Sequence, residues 1–112
     1  MTTIKNKILL RDLILFALMG PVVLLFWENN SLVTTILLLE FVVAGLFLYS
    51  WTERLFFVIA GVFGLVLEII GGLFGIWTYT FPNFVTVPVW IFFCWGFTLT
   101  LFNSIFRAIN NQ

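Results

Sequence analysis

The chain has 112 residues, 62% of them hydrophobic and 9% charged, with five basic side chains balancing five acidic ones and a mean hydropathy of +1.18. A soluble domain carries roughly a quarter charged residues, and one this small has too little interior to hide so much apolar surface, so the composition assigns the chain to lipid. Zero net charge excludes a basic nucleic-acid footprint, and a single cysteine with no histidine excludes an internal disulfide, a legible metal site and a His-dependent nucleophile; no cofactor is implied.

The basic start "MTTIKNKILLRDLILFALMGPVVLLFWENNS" leads into an apolar stretch that ends in Phe26-Trp27-Glu28 without a small-x-small cleavage site, so a retained first span is expected. That span covers residues 8–27, with a kink expected at Gly20-Pro21. Three more apolar runs follow at 32–50, 55–77 and 87–107. Each has the roughly 20 residues needed to cross a hydrocarbon core of about 30 Å as a helix. None alternates as a transmembrane strand would. The expected fold is therefore an all-α integral membrane protein, a single four-helix bundle whose consecutive spans are antiparallel neighbours.

Lys5, Lys7, Arg11, Arg54 and Arg107 all fall at one end of such a bundle, and the other two connections contain no Lys or Arg. The positive-inside rule then predicts both termini in the cytoplasm. Trp27, Trp51 and Trp77 fall at predicted span ends, where indoles favour the headgroup region.

Asp12 beside Arg11, Glu28 at a span end, and Glu53 beside Arg54 in a loop read as interfacial acids. Glu40 and Glu68 do not, since each stands inside an apolar run, "TILLLEFVVAG" and "FGLVLEIIGG". A carboxyl at that depth costs a few kcal/mol and normally faces protein, a ligand or a wet cavity. Glu40 and Glu68 are thus the candidate chemical groups, either as a pair sharing a proton or as a ladder at two depths. Ala60, Gly64, Glu68 and Gly72 recur every four residues and share a helix face, with Gly61, Gly71 and Gly75 widening it. Such a face admits a neighbouring helix or a flat ligand.

After Trp77 the uncharged "TYTFPNFVTVP" is predicted to fold back as a lid over that face, with a turn at Pro82-Asn83 and Pro88 in the first turn of the last helix. Trp90 and Trp95 lie within the fourth span, and Glu40 or Glu68 is expected to accept from their N–H groups. Gly64, Gly71, Gly72, Gly75, Tyr79, Trp90 and Trp95 complete the candidate ligand site around Glu68.

The order Glu68-x-x-Gly71-x-x-x-Gly75-x-Trp77-x-Tyr79-x-x-Pro82, followed by Val87-Pro88-x-Trp90 and Trp95-Gly96, resembles a group of small multi-spanning bacterial and archaeal proteins of unknown function. More distantly it looks like the membrane-embedded carotenoid hydratases of the bisanhydrobacterioruberin hydratase type. That resemblance covers about a quarter of the chain. It implies a cytoplasmic membrane of a bacterium or archaeon, an isoprenoid-like ligand, Glu68 as the motif's acid and Tyr79 as its tyrosine. Three functions are expected to compete. The first is a binder of an apolar, lipid- or isoprenoid-like ligand, with or without catalysis. The second is a small oligomeric proton- or cation-coupled transporter using Glu40 and Glu68, similar in size to small multidrug exporters. The third is an accessory subunit packed on a larger membrane partner.

Overall fold

A computed structural model describes residues 2–110. Among them are four helices, α1 (Thr2–Phe26), α2 (Asn30–Phe47), α3 (Trp51–Leu73) and α4 (Ile91–Asn110), each long and apolar enough to cross a membrane. At 1.5 Å per residue they are roughly 27 to 38 Å long. The longest dimension of the chain, 45 Å, matches a bilayer with its headgroup layers.

Local chemistry places the helix ends. α1 continues through Gly20-Pro21 as a single helix and starts earlier than its apolar run, taking in Lys5, Lys7 and Arg11. The Asn29 side chain caps α2, its Oδ1 accepting from the Leu32 amide at 3.1 Å. Ser50 and Glu53 form a reciprocal capping box on α3, which puts Glu53 in the first helical turn and not in a loop. α3 stops at Leu73, four residues short of the expected Trp77. The Ile76 amide donates to the Gly71 carbonyl and the Gly75 amide to the Gly72 carbonyl, with Gly75 at φ +71°. This Schellman arrangement ends the helix, and its left-handed residue is best supplied by glycine.

The tight reversal in the following connection comes at Val85-Thr86, later than the expected Pro82-Asn83, inside an antiparallel bridge between Phe84 and Val87. Pro88 stands just outside α4, its carbonyl accepting from the Ile91 amide.

Neighbouring in sequence is not neighbouring in space for every pair. α4 packs along both α1 and α3, and α1 packs along α2. The α2–α3 meeting depends on rings, Phe41 stacking on Phe57 at 4.3 Å. Phe57 is fully buried, and its ring also meets Phe97 edge-on at 4.8 Å above Gly96. Most other large apolar side chains on α1, α2 and α3 face outward, the surface expected of a chain whose solvent is hydrocarbon.

Candidate functional site

At the aromatic end of the bundle, Glu68 lies five residues before the last residue of α3. The connection between α3 and α4 folds back onto it. The Tyr79 hydroxyl donates to Glu68 Oε1 at 2.8 Å, and Trp77 Nε1 donates to the Glu68 carbonyl at 3.2 Å. Thr86 Oγ1 donates to the neighbouring Ile69 carbonyl. Burial, the hydrogen bond to Glu68 and the charge of that carboxyl hold the Tyr79 phenol above its ordinary range. Glu68 and Tyr79, 11 positions apart in sequence, are therefore brought into direct contact.

The glycine face of α3 is covered by the chain's own side chains. A Cβ at Gly61 would meet the Phe92 ring, one at Gly64 the Trp95 ring, one at Gly71 the Trp77 ring and one at Gly72 the Thr86 side chain. Gly75, by contrast, serves the helix end and has open space around it. The open volume lies beside this face. A groove of about 260 Å³ between α3 and α4 is lined by Glu68, Ile91, Cys94, Trp95, Thr98, Leu99 and Phe102. Its walls are apolar except for the Glu68 carboxyl, the Thr98 hydroxyl and the Cys94 thiol.

Glu40 is elsewhere. It stands ten residues into α2, about 15 Å from that helix's start, whereas Glu68 is about 7.5 Å from the end of α3. Glu40 borders a separate apolar cavity with Ile14, Leu18, Val22, Ile36, Leu39 and Val43, and its buried Oε2 has no hydrogen-bond partner among the described residues. No hydrogen bond joins the two carboxyls. Of the two indoles expected to donate to Glu40 or Glu68, Trp90 donates instead to Asn30 Oδ1 at 3.0 Å.

The most buried acid is one that the sequence does not single out. Asp12 is 2% exposed; Ser104 Oγ donates to its Oδ2, and Arg11 Nε donates to its Oδ1 at 2.9 Å. The Arg11 guanidinium also grips both oxygens of Glu53, at 3.2 and 2.7 Å, donates to the Leu48 carbonyl, and lies 4.9 Å from the centre of the Tyr49 ring. Arg54, adjacent to Glu53 in sequence, turns instead to the Gly45 carbonyl at 2.6 Å, near the end of α2. This network joins α1, α3 and α4 at the basic end. One part of it was readable: Ser50-x-x-Glu53 is a capping-box signature. Asp12 gave no such signal, because Arg11 beside it suggests a local ion pair.

Comparison with family models, with curated proteins and with solved structures finds no match for this chain. The likeness to carotenoid hydratases accordingly has no support beyond the residues that suggested it.

Proposed function

We propose that this multi-pass membrane protein binds an apolar, lipid-like molecule along the groove between α3 and α4, with the Glu68–Tyr79 pair as its polar anchor. The observation that carries the reading is the hydrogen bond from Tyr79 to Glu68 at the border of a groove whose remaining walls are almost entirely apolar. Apolar walls with a few fixed polar groups are the usual composition of a small-molecule site, the walls giving affinity and the polar groups orientation. Trp95 supports the same use, since its position over Gly64 fixes the ring that forms one wall. On the positive-inside rule this site belongs to the external half of the membrane and both termini to the cytoplasm. A transport route through Glu40 and Glu68 draws less support, because the two carboxyls border different cavities.

Native mass spectrometry from mild detergent tests the proposal. The wild-type chain is expected to retain a lipid-like mass that Glu68→Gln and Trp95→Leu retain at a reduced level. Equal retention by all three proteins, or none by the wild type, rules the site out.

A further inference from the structure

A second cavity at the aromatic end has a different chemistry. Its volume is about 270 Å³, and its lining is Trp27, Thr78, Tyr79, Thr80, Phe81, Pro88 and Trp90. Four aromatic rings thus converge from three parts of the chain: the residue just past α1, the α3–α4 connection and the residue just before α4. Charged side chains are absent from this lining.

The rings are held in place, which distinguishes them from loosely anchored interfacial aromatics. One side chain, Asn30, positions two of them. Its Nδ2 donates to the Phe81 carbonyl at 2.6 Å while its Oδ1 accepts from Trp90 Nε1 at 3.0 Å. Tyr79 is held by its bond to Glu68. Trp27 rests against Phe81, with ring centres 5.7 Å apart and planes tilted by 39°. The Trp90 N–H and the Tyr79 O–H are therefore already engaged as donors, and what the two rings have left to offer an occupant is ring carbon and one phenolic oxygen.

Ring faces carry negative potential and attract a diffuse cation, and a quaternary ammonium asks for no hydrogen-bond acceptor in return. A primary ammonium needs several acceptor oxygens, and a sugar needs an array of polar partners; two threonine hydroxyls and one phenolic oxygen are a poor supply for either. The surrounding charge agrees. Glu68 stands behind Tyr79, Glu28 follows Trp27, and the two connections at this end contain no Lys or Arg. We propose that the aromatic end carries a site for a quaternary ammonium group, presented either as a free cation or as the choline head of a lipid. The site is separate from the α3–α4 groove, in which Trp27 and Phe81 take no part.

The test is equilibrium dialysis of labelled choline against the full chain in nanodiscs of phosphatidylglycerol, with uncharged 3,3-dimethylbutanol as the shape-matched control. Choline is expected to bind about tenfold more tightly than the control, and Trp27→Leu or Phe81→Leu, which keep apolar bulk but remove a ring face, to weaken it by about tenfold. Weaker choline binding in phosphatidylcholine nanodiscs, with enrichment of that lipid on the purified protein, assigns the site to a lipid head. Unchanged binding in both lipids assigns it to a free cation. The control binding as tightly as choline overturns the proposal without recourse to any variant. So does wild-type affinity in correctly assembled leucine variants, and so does a lack of choline binding combined with no phosphatidylcholine enrichment. Trp95→Leu, measured for lipid-like mass as above, reports on the α3–α4 groove and replaces no residue that lines the second cavity, so the two proposals fail separately.

Discussion

Asp12 is the most buried acid in the chain. It sits almost wholly out of reach of solvent, between a serine on α4 and an arginine that itself bridges to α3. Removing one member of a buried, hydrogen-bonded charge pair leaves the other without its partner, which typically costs 3–5 kcal/mol. Arg11 keeps Glu53, so Asp12→Leu is expected to destabilise the fold by about 3 kcal/mol, and Asp12→Asn, which retains an acceptor for Ser104, by less. Unfolding in mixed micelles with increasing sodium dodecyl sulfate measures both; an unchanged midpoint for Asp12→Leu would show the network to be dispensable. Glu68 at the other end has a lighter structural burden, with one hydrogen bond to a loop tyrosine. This contrast separates a carboxyl that holds helices together from one with acceptor capacity left over. Adjacency to Arg11 concealed the difference in the sequence, because a neighbouring cation reads as a local pair whatever lies across the bundle.

At the scale of elements, α3 and α4 meet as small residues against rings. Phe92 covers Gly61, Trp95 covers Gly64, and Phe57 on α3 covers Gly96 on α4. In lipid there is no hydrophobic drive between helices, so this close van der Waals fit supplies much of their association. A methyl group at Gly64 collides with the Trp95 indole near its attachment to the chain, where the ring has least room to move. Gly64→Ala is therefore expected to cost about 1–3 kcal/mol in the same unfolding titration, with partial recovery in Gly64→Ala/Trp95→Ala, which removes the Cγ and Cδ2 atoms it meets. Strict additivity of the two substitutions would show that the residues do not touch. The glycine spacing was legible from the one-in-four repeat. Which partner covered it was not, since helix and ligand present the same demand for a smooth surface.

The whole molecule is arranged around α4, the most enclosed helix, with α1 on one side and α3 on the other. Its basic end gathers Lys5, Arg11, Asp12, Glu53, Ser104 and Arg107, and its opposite end Trp27, Trp77, Trp90 and the uncharged connection. For so asymmetric a molecule the positive-inside rule predicts one favoured insertion. With Cys94 replaced by serine, Glu28→Cys is expected to react with a membrane-impermeant maleimide on intact cells, and Asn6→Cys only after permeabilisation. The reverse pattern would invert the assignment of ends, and with it the side from which both cavities are reached.

Composition and hydropathy run lengths alone determined that this is a four-span helical membrane protein, because lipid demands long apolar segments whose backbone groups are satisfied within each helix. Cation placement set the expected orientation, and the caps at Asn29, Ser50 and Gly75 are local enough to be written in a few residues. Tertiary structure decided the rest: that α4 sits between α1 and α3, that Asp12 and not Glu40 is the tied acid, and that Tyr79 reaches Glu68 while Asn30 orients Trp90. The reason is physical. Each of those outcomes depends on which helix face meets which neighbour, and in a chain that is apolar on every side the outward and inward faces look alike until the helices are packed.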